Sequence, residues 1–157
     1  MRKRITNRGI DSVPFSNQPW LNVEHLAQVE VSSEDAARPI ESALIPGAGS
    51  GWRAEQAGGQ IVRLVFDEPQ RIKRLHLVFQ ENDHERTQQF VLRWSADAGQ
   101  SYSEIVRQQY NFSPPGSTRE SEDYTVDLVG VTALELSIVP NISGGPARAS
   151  FAQLLLA

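Results

Sequence analysis

The sequence predicts an all-β domain, an antiparallel sandwich or barrel of about eight strands with at most short helical turns. Three observations lead there. From residue 60 onward, apolar and polar residues alternate in run after run, as strands with one buried face do. Turn signals rich in Gly, Pro, Asp and Asn separate those runs at short spacing. No stretch keeps a helical period for more than a turn or two.

The strands follow in order. "AQVEVSS" opens the set with Ala27, Val29 and Val31 on one face. "SSEDAARPIESAL" holds a turn or two of helix, with Ser33 as N-cap and Pro39 as breaker. "QIVRLVF" turns Val62, Leu64 and Phe66 inward, and "RLHLVFQ" does the same with Leu75, Leu77 and Phe79. "FVLRWSA" sets Phe90, Leu92 and Trp94 against Val91, Arg93 and Ser95. "SADAGQSY" (95–102) is hairpin chemistry: Asp97 accepts backbone N–H bonds, Gly99 supplies positive φ and Tyr102 packs beneath. "YSEIVRQ" follows, then "YTVDL" with Tyr124, Val126 and Leu128 inward, and "LELSI" with Leu134, Leu136 and Ile138 inward. "ASFAQLLLA" closes the chain.

A chain of 157 residues suits one domain and buries roughly 70% of its unfolded surface without a staple. It contains no Cys, which excludes disulfides, thiolate metal sites and a Cys nucleophile. The formal charge of −4 argues against nucleic acid as a partner. The basic start "MRKRITNRGIDSVPF" lacks an apolar core, so neither a signal peptide nor a membrane span is expected and the cytoplasm is the default compartment. No Ser-His-acid set or Gly-rich phosphate loop stands out, so catalytic residues are not expected.

If consecutive strands run antiparallel, the links fall into two groups. "DEPQ" (67–70), "DAGQ" (97–100) and "GVT" (130–132) are tight and share one end. The longer links, 47–59, 80–89, 110–122 and 140–149, then gather at the other end as a polar rim. Elaborated loops at one pole of a rigid scaffold are where binding usually sits.

Several stretches, in order, resemble the discoidin-like domain (coagulation factor 5/8 type C) of the galactose-binding-domain-like superfamily. They are "VEVSSE" (29–34), "GWRAEQAGGQIVRLVFDEPQRIKRLHLVF" (51–79), "FVLRWSADAGQSYSEIV" (90–106) and "ALELSIVP…ASFAQLLLA" (133–157). The most specific piece is Trp52, a strand ending in Asp67-Glu68-Pro69, a second strand, then Ser95-x-Asp97-x-Gly99. The resemblance implies a jelly-roll sandwich over residues 24–157, with 1–23 as an extension packing on or preceding it. Members of that family bind galactose-type sugars, phospholipid head groups or proteins through loops at one pole. It therefore implies a non-catalytic module recognising a galactose-type glycan; the alternative is an intracellular protein–protein interaction domain. Relatives often hold a structural cation after the first strand. Here "IESALIPGAGSGW" offers Glu41 as its only carboxylate, too few oxygens for Ca²⁺ without carbonyls and water, so no metal or cofactor is expected. The rim lacks apolar spikes flanked by Lys, so membrane insertion is not expected.

The expected ligand-binding residues are Arg53, Asn82, His84, Arg86, Tyr110, Phe112, Asn141 and Arg148. Arg53 has a planar donor fork suited to vicinal hydroxyls, a carboxylate or a phosphate; a salt bridge to Glu55 is the competing reading. Asn82, His84 and Arg86 can hydrogen-bond a polar ligand, or simply belong to a solvated charged loop. Glu81, Asp83 and His84 lack the spacing of a metal site. Tyr110 or Phe112 would stack on a sugar ring, unless Phe112 anchors its Pro-rich loop to the sandwich. Asn141 and Arg148 are secondary candidates. Trp52 and Trp94 are assigned to the core, and Trp20 to a plug before the first strand. Asn111 and Asn141 also open Asn-x-Ser sequons.

Overall fold

A computed structural model describes residues 20–47 and 49–157. Its elements are α1 (Val23–Leu26), β1 (Ala27–Val31), α2 (Glu41–Leu44), β2 (Trp52–Ala57), β3 (Gln60–Gln80), β4 (Arg86–Ser95), β5 (Ser103–Phe112), β6 (Arg119–Val139), β7 (Arg148–Phe151) and β8 (Gln153–Leu156). Every strand pair is antiparallel, so the all-β expectation holds. Both helices are single turns. Pro39 lies before α2 rather than inside it, and Ile40, not Ser33, is its N-cap. The Ser33 hydroxyl instead donates to Gln60 Oε1 (2.9 Å) and accepts the Glu55 amide (3.1 Å). No described helix is long and apolar enough to cross a membrane.

The links at 67–70 and 130–132, expected as tight reversals, are not reversals at all. β3 and β6 each run unbroken for 21 residues and pair along most of their length. Register slips where the reversals were expected: from Val65↔Ala133 to Gln70↔Val131, β3 advances farther than β6. Pro69 has no N–H to give the ladder, and Gly130 takes φ +75° in the facing strand. A straight strand of this length would span about 70 Å. Yet Gly58, just before β3, bonds the Ala147 carbonyl, and Ala147 shares one cleft with Gln80 at the far end of β3. The ribbon therefore folds over at the slip and builds both layers. The first half of β3 lies with β1, the second half of β6, β4 and β5; its second half lies with the first half of β6 and β8.

Folding the ribbon encloses the core. Val62, Leu64 and Phe66 from one half, and Leu75, Leu77 and Phe79 from the other, belong to one buried cluster. Trp52, Phe79, Phe90, Phe112 and Phe151 are its largest fully buried side chains. Trp52 sits as assigned, packed on Phe151 at 5.5 Å with its indole N–H on the Ser33 carbonyl. Trp94 packs at the core margin. Trp20 covers the outer face of the second layer, stacked on His76 with Arg74 over its ring. Leu21 is tied to Leu156 by a backbone bond (2.7 Å) and Val23 is buried, so the body begins slightly before residue 24. Residues 1–19 of the expected extension lie outside the described residues. On the outer face of the large layer, a row of charges crosses four strands, Glu30–Arg63–Glu135–Arg93.

Candidate functional site

The ends of β3, β4 and β6 and the short β2–β7 ribbon meet at one pole around an open cleft of about 670 Å³. Its lining comes from Arg38, Ser50, Arg53, residues 80–86, Asn141, residues 146–148 and Ser150. Three of the four expected rim segments therefore converge. The fourth, between β5 and β6, stands behind them: the Glu81 amide bonds the Thr118 carbonyl (2.8 Å), but none of its residues lines the cleft.

Arg53 sits on β2, not on a loop, opposite Ser150 of β7. Among the described residues its guanidinium has neither a hydrogen bond nor an ion pair, and no bridge to Glu55 forms. Next to it lies an arginine that sequence reading passed over. The backbone around Asp35–Arg38 runs along β2, with the Arg53 amide on the Arg38 carbonyl (3.1 Å). Arg38 then donates to the carbonyls of Ser50 (2.6 Å) and Gly51 (3.2 Å). These acceptors are neutral, so two cations share one wall with no carboxylate bonded to either. Arg148 on β7 completes that wall, reaching the Glu55 carbonyl (3.5 Å) and Asp35 (3.8 Å).

The turn 81–85 lines another part of the cleft. Glu81 folds it by accepting the amides of Asp83 (3.0 Å) and His84 (3.2 Å). Burial pushes the Glu81 carboxyl up, but the hydrogen bond from Arg86, those two amides and the Arg86 charge outweigh it and hold it below the ordinary range. Asn82 accepts from Gln80 (2.8 Å). Asp83, His84 and Glu85 are exposed at the mouth, and no side-chain bond forms at the His84 ring among the described residues. Asn141 lines the cleft, but its side-chain oxygen is taken by the Ser143 amide (3.1 Å).

Arg86 differs from the expectation. It is 4% exposed and begins β4. It donates to Glu81 (2.7 Å), the Pro140 carbonyl (2.9 Å) and Gln88 (3.3 Å), and its guanidinium lies over the Phe112 ring at 4.8 Å. It is the post that fixes both neighbouring loops, its Nε and Nη1 donors committed to them. Phe112 is fully buried and cannot stack on a ligand; of the two readings, the anchor holds. Tyr110 packs edge-on against Phe112 and donates its hydroxyl to the Arg119 carbonyl (3.0 Å). Both aromatics belong to β5 rather than to a loop, and no Trp, Tyr or Phe lines the cleft among the described residues. The alternation of "RQQYNF" carried the signal that Tyr110 and Phe112 continue the strand.

No protein-family model matches the sequence, and no curated protein matches it. Solved structures do match in fold. The family 32 carbohydrate-binding module of AlyQ, in complex with 4,5-unsaturated mannuronic acid, superposes with TM-score 0.61 at 16% identity, over 84% of this chain and 95% of that one. A pectin-binding carbohydrate-binding module gives TM-score 0.61 at 16% identity, over 84% and 90%. The family 32 module of NanJ from C. perfringens, in complex with galactose, gives 0.61 at 10% identity, over 83% and 92%. At these identities the likeness establishes the fold alone, an antiparallel β-sandwich like that of these modules.

Proposed function

We propose that this domain binds rather than catalyses, and that its ligand is a glycan held in the polar cleft. The carrying observation is Arg53, a half-buried guanidinium aimed into a cleft with no partner among the described residues. With Arg38 held beside it on two backbone carbonyls, the wall presents two cations whose charge no bonded carboxylate offsets among the described residues. An arginine fork is shaped for a carboxylate. Elsewhere in the lining, Asp83, Glu85 and Asn82 offer acceptors for sugar hydroxyls. A galactose-type pyranose bearing a carboxylate fits both parts, acid group toward Arg53 and hydroxyls toward 82–85. Among the neighbours, one is complexed with an unsaturated uronic acid, one binds pectin and one is complexed with galactose.

Binding is modest, with a dissociation constant of roughly 0.1–1 mM, because few groups converge and no aromatic platform contributes. Calorimetric titration with a galacturonate trisaccharide, its methyl ester and the neutral galactose trisaccharide tests the reading. The acid form binds best and its affinity falls with salt. Folded protein that binds none of the three at several times the expected constant contradicts it.

A protein ligand is the second reading. It is favoured by Ile142, 50% exposed, and Val139, 36% exposed, beside a cleft without aromatic rings. A stoichiometric protein complex lost in both Arg53→Gln and Ile142→Ser selects it.

A further inference from the structure

Behind the cleft, β6 turns two carboxyls into the interior. Glu120 and Glu122 are two apart on one strand face, the face that also carries Tyr124, Val126 and Leu128 into the core. Glu120 is 2% exposed, with Phe79 opposite it in the sheet. Among the described residues no cation is bonded to either carboxyl. One oxygen of each, Glu120 Oε2 and Glu122 Oε2, is buried without a hydrogen-bond partner among the described residues, and their spacing sets the two side chains next to each other on one strand face. Buried carboxylate oxygens need donors, and neighbouring carboxyls can supply one to each other only by keeping a proton. One proton shared by the pair satisfies both orphan oxygens at once, whereas full ionisation leaves two like charges in apolar surroundings.

The other oxygen of Glu120 begins a chain of bonds. Gln88, fully buried on β4, donates to Glu120 Oε1 (3.2 Å) and accepts from Arg86 Nη1 (3.3 Å). Arg86 in turn grips Glu81 of one cleft wall and the Pro140 carbonyl that leads into another. We infer that Glu120, Glu122 and Gln88 are positioning residues for the cleft: the shared proton of the carboxyl pair is read through Gln88 by Arg86, which sets the loops at 81–85 and 140–147. Losing that proton adds a buried negative charge near Gln88. The relay is then drawn toward Glu120 at the expense of Arg86's hold on Glu81 and Pro140.

The surroundings contain little to offset that charge. On β6 the neighbours are Glu122 and the phenol of Tyr124, itself pushed up by burial and then by the two glutamates. From β4 comes neutral Gln88, with Arg86 behind it already paired to Glu81. β3 presents Phe79, and β5 presents Gln108, bonded to Tyr124, with Tyr110 and Phe112 toward the cleft end. Burial, and then Glu122, push the Glu120 carboxyl up to about 7, so the switch falls near neutral pH. The effect on binding rests on the cleft being the ligand site; the effect on loop conformation does not.

Amide NMR across pH 5 to 9 tests the inference without a ligand. All samples carry His84→Asn, which removes the imidazole from this loop. Amides of 81–86 and 141–142 and the Gln88 side-chain amide should move together with one midpoint near neutrality. Glu120→Gln should abolish that midpoint and hold the loop signals at their acidic positions. Gln88→Met should leave the Glu122 amide titrating while the loop signals stop responding. If Glu120→Gln does not fold, Glu122→Gln, whose amide can donate to an ionised Glu120, should lower the midpoint by at least one pH unit. Loop signals that titrate identically with and without these substitutions overturn the proposal, as does, with Gln88 in place, a pH response at the Glu122 amide that never reaches residues 81–86. With galacturonate trisaccharide, affinity should fall several-fold from pH 5.5 to 8.5 and stay flat in Glu120→Gln. Absence of any glycan binding would count against the cleft's proposed ligand and leave the NMR result to decide the relay.

Discussion

Arg53 and Arg86 face the same cleft from opposite circumstances. The Arg53 guanidinium bonds nothing among the described residues, so its replacement should change recognition and little else. Arg53→Gln should leave the denaturant midpoint within about 0.5 kcal/mol of wild type and weaken binding of an acidic trisaccharide about tenfold, roughly 1.4 kcal/mol. Arg86→Ala removes a buried cation from Glu81, Gln88, Pro140 and the Phe112 ring. It should destabilise the fold by about 3 kcal/mol or more, because Glu81 is left without its partner. Urea unfolding of the two variants separates these roles, and equal destabilisation by both would contradict the assignment. Sequence could name both arginines as candidates but could not rank them, because residue type reports donor geometry and not how many donors are already taken. His84 and Asn82 remain at the cleft, whereas Phe112, read as a loop aromatic, is strand and core.

At the scale of elements, the β2–β7 ribbon holds the cationic wall, and its tightest point is Gly51. Gly51 has φ +97°, and a Cβ there would strike the Phe151 carbonyl and Ala152 Cα. Gly51→Ala should cost about 2 kcal/mol or more and disturb the Trp52↔Phe151 pairing, visible as lost near-UV ellipticity. The β4–β5 turn is a contrasting case that sequence located correctly. Asp97 accepts the Ser101 hydroxyl (2.6 Å), the Ser95 hydroxyl (2.6 Å) and the Ser101 amide (2.9 Å). These bonds, the Ser101 hydroxyl first, hold its carboxyl down to about 2 from 3.8. The contribution is present above about pH 4 and disappears as pH falls toward 2. Local chemistry of this kind is readable from a few adjacent residues. The folding-over of β3 at "DEPQ" is not, since a Pro-containing link looks alike whether the chain reverses or bends into the second layer.

For the molecule as a whole, the long loops share one pole even though the reasoning that placed them there assumed reversals that do not occur. Two bends in a paired ribbon bring its ends back to one pole as two hairpins would. That equivalence is why the pole was legible while the topology was not. Stability should also carry the mark of the buried acid pair. Glu120 titrates near 4.5 in an unfolded chain and at about 7 in the folded one. Between those values the folded state holds the extra proton, so this contribution is full below about pH 4.5, declines with rising pH and is gone above about 7. Wild type should lose stability relative to Glu120→Gln between pH 5 and 8 in parallel urea titrations; parallel curves would refute the shift. The most direct check on the cleft itself is amide chemical-shift mapping at pH 5.5 with galacturonate trisaccharide. The account predicts saturable shifts confined to 38, 50–53, 80–86 and 141–150, lost in Arg53→Gln; shifts centred elsewhere, or unchanged in that variant, contradict it.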